Sequence, residues 1–168
     1  RVASVAGVRG LKWPWHGPNR KTTNEAGGQA LGWKDHPWSC DHAGAPAEAE
    51  RLGGLCAGLI GATADDVALI NSTSYGAATA AKNLPAAAGQ NIVVITDQFP
   101  SNLFSLRRLA QDSGAELRAA AWPDDGNWTP NVLDCIDADT AIAALPPCHW
   151  SDGAKLDLMD IGQKCRDV

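Results

Sequence analysis

The strongest constraint on the fold is an alternation of short apolar runs with segments of helical spacing in the second half of the sequence. The run 92–95 is apolar and β-branched, which is typical of a strand buried on both faces. The segment that follows has helical spacing and ends before Gly114. Repeated strand–helix units indicate an α/β fold with a mostly parallel sheet and helices on both faces. We predict strands at 67–70, 92–95, 116–121 and 140–145, and helices at about 74–84, 102–112, 131–136 and 156–166.

The first third of the sequence has a different character. Residues 1–45 are rich in Gly, Pro and Trp and show no sustained period, so we expect an irregular arm with one helix near 24–31. An amphipathic helix is predicted next, because its apolar side chains fall at helical spacing before Gly61. We therefore expect residues 46–168 to be the N-terminal part of an α/β domain that is cut at residue 168. The apolar positions of that helix are Leu52, Leu55, Cys56, Leu59 and Ile60.

Composition excludes several classes of function. The net charge of −5 offers no basic surface for nucleic acid. No apolar run approaches the roughly 20 residues that span a bilayer, so no membrane partner is expected. The five cysteines are widely spaced without a C-x-x-C pair, which favours a reducing, cytoplasmic compartment over a disulfide framework. Their spacing also lacks the pattern of a structural zinc site, so no metal is expected.

Hydroxyl side chains follow the first predicted strand. In open α/β sheets, ligands bind beyond the C-terminal ends of the strands, where the next helix directs its N-terminus. Ser72, Thr73 and Ser74 lie at such a position, and hydroxyls with free backbone N–H groups suit a phosphate. The alternative is that one of the three only caps the helix. Neither a P-loop nor a G-x-G-x-x-G motif is present.

Aromatic residues follow two further predicted strands. Phe99 precedes Pro100 after the second strand, and His149 and Trp150 follow the fourth. An aromatic ring at a strand end could stack on a flat ligand, and we expect Phe99 and His149 to face one cleft. The alternatives are a phenylalanine packed under the next helix and a structural histidine.

These segments together resemble a known family. Ser72-Thr73-Ser74-Tyr75-Gly76 resembles the phosphate-loop helix of class V aminotransferase homologues. Gln98-Phe99-Pro100-Ser101-Asn102 resembles their E-F-P-S-N loop, and His149-Trp150-Ser151-Asp152-Gly153 resembles their H-W-T-D-G segment. The N-terminal region carries further similarity, at His16-Gly17-Pro18, Pro37-Trp38 and Glu50-Arg51-Leu52. The order and spacing fit from about residue 16 to residue 168.

The resemblance implies a pyridoxal 5′-phosphate (PLP) enzyme of fold type I, in the class V aminotransferase and cysteine desulfurase group. Its substrate would be a small molecule of the amino-acid type, and the full-length enzyme would be a homodimer. By position, Thr73, Ser74 and Tyr75 would hold the PLP phosphate, and Phe99 would stack on the pyridine ring. His149 and Trp150 would lie near the phenolic oxygen of the cofactor, and His16 would approach the substrate.

The sequence also departs from the family. Gln98 stands where the family usually has an acid. The strand carrying the aspartate for the pyridine nitrogen, and the Schiff-base lysine, would lie beyond Val168, and no lysine present has the family's context. We therefore expect a fragment with no catalytic residue, inactive alone. Amino transfer, desulfuration, epimerisation and side-chain cleavage all stay open, as do a phosphate- or nucleotide-binding module and a degenerate non-catalytic relative.

Overall fold

The structure is a computed structural model that describes residues 19–32, 35–39 and 44–168. The chain divides into two units, residues 1–69 and 70–168. Each unit is described by itself below.

The first unit contains two helices, α1 (Lys21–Gly32) and α2 (Gly44–Ile60), and short 3₁₀ turns at Pro37–Ser39 and Ala64–Asp66. Both predicted helices of this region lie inside α1 and α2. The turn that follows α2 is closed by Thr63, whose backbone N–H and hydroxyl donate to Asp66 Oδ2 at 2.9 and 2.8 Å. These hydrogen bonds lower the pKa of Asp66.

The second unit is built on a parallel sheet. Its strands are β1 (Asn91–Ile95), β2 (Glu116–Ala120) and β3 (Thr140–Ala143), in the order β2–β1–β3. β1 pairs with β2 from Asn91 opposite Glu116 to Ile95 opposite Ala120. Four helices accompany the sheet: α3 (Thr73–Asn83) precedes β1, α4 (Pro100–Ser113) and α5 (Trp128–Cys135) connect the strands, and α6 (Leu158–Asp167) follows β3. The predicted α/β fold is confirmed.

Successive side chains of β1 face opposite sides of the sheet, and a core lies on each side. Ile92 and Val94 pack against α4 through Leu106 and Ala110. Val93 and Ile95 pack on the other face against residues of α5 and α6, among them Trp128, Val132 and Ile161. Both faces of β1 are covered, which agrees with the continuous apolar run at 92–95 from which the strand was predicted.

The predicted strand at 67–70 is wrong. These residues form no strand, and the side chains of Leu69 and Ile70 are about half exposed. A strand requires a hydrogen-bonded neighbour, and both sides of β1 are occupied by β2 and β3. Residues 67–70 pair with none of β1, β2 and β3, so their apolar character alone does not produce a strand.

The predicted helices of the second unit are confirmed, with boundaries that follow from their caps. Ser72 caps α3 and Asp157 caps α6, each accepting hydrogen bonds from first-turn N–H groups. α4 ends at Gly114, which is left-handed with φ 75°. None of the helices in the described segments is long and apolar enough to cross a membrane.

Candidate functional site at the strand ends

The segment after β1 connects the ends of all three strands. The backbone N–H and hydroxyl of Thr96 both donate to Ala120 O at the end of β2, at 2.9 and 2.8 Å. Gln98 Nε2 donates to Ala144 O, just after β3, at 3.2 Å. The loops that carry Phe99 and Trp150 therefore start from one connected edge of the sheet.

The N-terminus of α3 separates the capping residue from the candidate phosphate ligands. Ser72 Oγ accepts from Tyr75 N at 3.1 Å, so Ser72 is the cap. Thr73, Ser74 and Tyr75 are exposed. The backbone N–H groups of Thr73 and Ser74 donate to no residue in the described ranges. Two first-turn N–H groups and two exposed hydroxyls are thus available to an anion.

A second helix N-terminus adjoins the first. Ser74 Oγ lies 2.8 Å from Ser101 Oγ, at the second position of α4. Both helices present the positive end of their dipole here, and the sum favours a negatively charged group. A groove beside this contact is lined by Ile70, Ser72, Thr73, Gly76, Ala77, Ala80 and Asn102.

Phe99 and Trp150 form the aromatic part of the site. Their ring centroids are 5.7 Å apart, and the rings are nearly perpendicular at 83°. Trp150 is 49% exposed, and its indole N–H donates to Asp97 O at 2.7 Å. The edge-to-face contact and the hydrogen bond together fix the orientation of the Phe99 ring plane.

His149 does not share a cleft with Phe99. Its side chain is 0% exposed and stacks on Trp128, with centroids 4.9 Å apart and planes within 8°. Nε2 donates to Thr96 O at 3.2 Å, and Nδ1 accepts from Ser151 Oγ at 2.9 Å. Both ring nitrogens and one ring face of His149 make contacts inside the protein, so His149 stabilises the loop that carries Trp150. The exposed aromatic partner of Phe99 is Trp150.

Sequence reasoning missed two residues of this region, Asp97 and Trp122. Asp97 has a left-handed backbone with φ 53°. Its Oδ2 accepts from Trp122 Nε1 at 2.9 Å, and its carbonyl accepts from Trp150. A signal for Trp122 was present, because Trp122-Pro123 follows β2 as Phe99-Pro100 follows β1. The left-handed conformation of Asp97 had no signal in the residue pattern.

Other predicted residues lie elsewhere or outside the description. His16 and its neighbours fall outside the described residues. Lys155 is exposed, and its backbone bridges to Cys148. No three His, Cys, Asp or Glu side chains cluster as metal ligands in the described parts of the chain.

Comparison with known proteins gives a family and a fold. The family model described as aminotransferase class-V matches residues 43–168. Two solved structures are similar in fold: a lysine-to-alanine mutant of C-DES with glycine covalently linked to the PLP cofactor, and the complex of the cystine C-S lyase C-DES with its reaction product cysteine persulfide. The first has a TM-score of 0.72 at 15% identity over 89% of this chain, and the second 0.73 at 16% identity over 88%. No curated protein matches the sequence.

The three-stranded parallel sheet with its flanking helices is of the α/β class. The match over residues 43–168 defines the family: the chain belongs to the class V aminotransferases. This confirms the resemblance inferred from the motifs. The chain spans 40% of the length of each of the two C-DES chains.

Proposed function

We propose that this chain supplies the phosphate and ring-stacking part of the PLP site of a class V aminotransferase-type enzyme that acts on an amino-acid-like substrate. The observation that carries the proposal is the 2.8 Å contact of Ser74 and Ser101, which joins two helix N-termini beside the Phe99–Trp150 pair. A phosphate next to a flat ring is the combination that these two features suit.

The phosphate would be held at the start of α3. Thr73 and Ser74 offer hydroxyls and unpaired backbone N–H groups, and Tyr75 is exposed in the same helical turn. Hydrogen bonds to an ionised phosphate are shorter and stronger than neutral ones. Ser72 is assigned to the helix cap, because its hydroxyl oxygen accepts from Tyr75 N.

The pyridine ring would lie against Phe99. Trp150 contacts Phe99 edge-on and is held by Asp97 O, so the stacking plane is fixed before a ligand arrives. His149 would not contact the ring, but would fix the loop that carries Trp150 through its bonds to Thr96 and Ser151. Preorganised rings reduce the entropy lost on binding.

Bound PLP would supply an electron sink for carbanion chemistry on amino acids. The residues described at this edge bind and orient, and none of them is proposed as catalytic. We place the Schiff-base lysine and the carboxylate for the ring nitrogen outside this chain, and His16 near the substrate. The reaction stays open among the four named above. We further propose a cytoplasmic homodimer for the full-length enzyme.

The two alternatives receive less support. A nucleotide-binding module is not favoured, because the family match covers all three motif segments, 72–76, 98–102 and 149–153. A non-catalytic relative would keep the fold while losing the ligand site. The exposed residues Thr73 and Ser74, with backbone N–H groups that donate to no described residue, argue against such a loss.

Calorimetric titration with pyridoxine 5′-phosphate tests the proposal, because this probe lacks the aldehyde that reacts with any lysine. We expect tighter binding than for pyridoxine, and a roughly ten- to hundredfold loss when Thr73 and Ser74 are both changed to alanine. Thr79→Ala is the matched control, since that exposed hydroxyl bonds only to its own helix at Tyr75 O. Equal affinity for the two probes, or no loss in the double variant, would overturn the assignment.

A further inference from the structure

Gln98 is a buried polar residue whose two functional atoms are both used. Its side chain is 4% exposed. Nε2 donates to Ala144 O at 3.2 Å, and Oε1 accepts from Phe99 N at 2.9 Å. A carbonyl can only accept and a backbone N–H can only donate, so the orientation of the amide is determined by its partners.

The two bonds connect the Phe99 loop to the segment just after β3, the strand that pairs with β1. Ala144 is itself fixed to β1, since its N–H donates to Val93 O at 2.9 Å. Gln98 therefore holds the backbone of Phe99 against a rigid point at the end of β3. The same Phe99 carries the ring that contacts Trp150.

A carboxylate could not make both bonds. Ionised, it accepts from Phe99 N but has no proton to donate to Ala144 O, and two acceptor oxygens would then face each other in a buried place. Protonated, it has one O–H donor and one carbonyl oxygen, which reproduces the pattern of the amide.

We infer that Gln98 is a positioning residue, and that a permanently neutral donor–acceptor side chain at this position sets the Phe99 ring in place. Its effect on a ligand rests on the proposed function. Its effect on the loop rests only on the contacts above. Asp97 precedes Gln98 in sequence and His149 bonds to Thr96 O, and neither side chain bonds to the Gln98 side chain.

The test compares Gln98→Glu with Gln98→Met and wild type at about pH 5.5 and about pH 8.5. Burial without a cation raises the pKa of an introduced carboxyl. A folded-state pKa above the unfolded value gives stability that is present at low pH and lost as the pH rises. Gln98→Glu should therefore melt like wild type at the acidic pH and roughly 5 °C lower at the alkaline pH. Gln98→Met should lose a similar amount at both.

Two further measurements separate positioning from stability. At a temperature where all variants are folded, Gln98→Glu should bind pyridoxine 5′-phosphate roughly tenfold more weakly than wild type at the alkaline pH only. Without ligand, the near-ultraviolet circular dichroism of Gln98→Glu should differ from that of wild type at the alkaline pH only, because the Phe99–Trp150 pair shifts there. Gln111→Glu is the control for added charge, because Gln111 is exposed on α4.

Melting and dichroism of Gln98→Glu that follow wild type at both pH values would overturn the inference. A pH-dependent melting temperature with unchanged dichroism and affinity would reduce Gln98 to a structural role and would overturn positioning. If wild type fails to bind the probe, the proposed function fails, and the dichroism still decides whether Gln98 places the ring.

Discussion

At the residue scale, Asp97 connects the loops that follow β2 and β3, because it accepts hydrogen bonds from Trp122 and Trp150. Its left-handed backbone directs the carbonyl to the Trp150 indole and the carboxylate to the Trp122 indole. A left-handed backbone costs a non-glycine residue about 1 kcal/mol, and Asp and Asn tolerate it best. The two hydrogen bonds to Trp122 and Trp150 therefore offset the cost of the left-handed backbone.

Replacing Asp97 separates these effects. Asp97→Asn keeps the tolerance and an acceptor oxygen, so we expect a change in the free energy of unfolding below about 0.5 kcal/mol. Asp97→Ala loses both and should cost about 1–2 kcal/mol. Urea denaturation measures the difference. Equal stabilities of the two variants would show that the Trp122 bond contributes nothing.

Asp137 gives a pH dependence at the opposite end of the strands. A hydrogen bond from Arg118, with a second from Asn91, lowers the pKa of Asp137 to about 2. A folded-state pKa below the unfolded value gives stability that is present above about pH 4 and lost as the pH falls through about 2. The advantage of wild type over Asp137→Asn should therefore shrink between these pH values.

Chemical denaturation at a series of acidic pH values measures this advantage. Asp124→Asn is the control, since Asp124 is exposed and its carboxylate bonds to no described residue. An advantage of wild type that stays constant down to pH 2 would contradict the role of the Arg118 and Asn91 bonds.

At the scale of elements, two glycines should respond in opposite ways to alanine. Gly114 ends α4 with φ 75°, and an added Cβ would lie 3.3 Å from Ala88 Cβ. Gly114→Ala should destabilise by about 1 kcal/mol or more. Gly162 lies inside α6, where alanine is the better helix former, and Gly162→Ala should stabilise by about 0.5–1 kcal/mol. Thermal melts compare the two. A stabilising Gly114→Ala would show that α4 does not need this cap.

Elements were predictable from sequence where a local rule decides them, and not where a distant partner decides. β1 followed from its β-branched run, and α4 from its period and its glycine stop. Residues 67–70 have the same apolar character, but a strand depends on a neighbour that the local pattern does not encode. His149 and Trp150 are adjacent in sequence, and only packing determines which ring is buried. The motif therefore identified the loop, but not that His149 is buried and Trp150 exposed.

At the scale of the whole molecule, we expect no single lysine of this chain to react selectively with PLP. Lys155, the lysine nearest the His149 loop in sequence, is exposed. We expect that PLP followed by borohydride labels several exposed lysines weakly, as mass spectrometry would show. Stoichiometric labelling of one lysine, abolished by changing Thr73 and Ser74 to alanine, would refute this expectation.

The central claim is that the strand-end edge binds a phosphorylated pyridine ring. The most direct measurement is a nuclear magnetic resonance titration of the ¹⁵N-labelled chain with pyridoxine 5′-phosphate. The account predicts that the amides of Thr73, Ser74 and Phe99 and the Trp150 indole shift together at saturating probe, while pyridoxine moves the first two little. Shifts confined to other surfaces, or none at saturating probe, would contradict it.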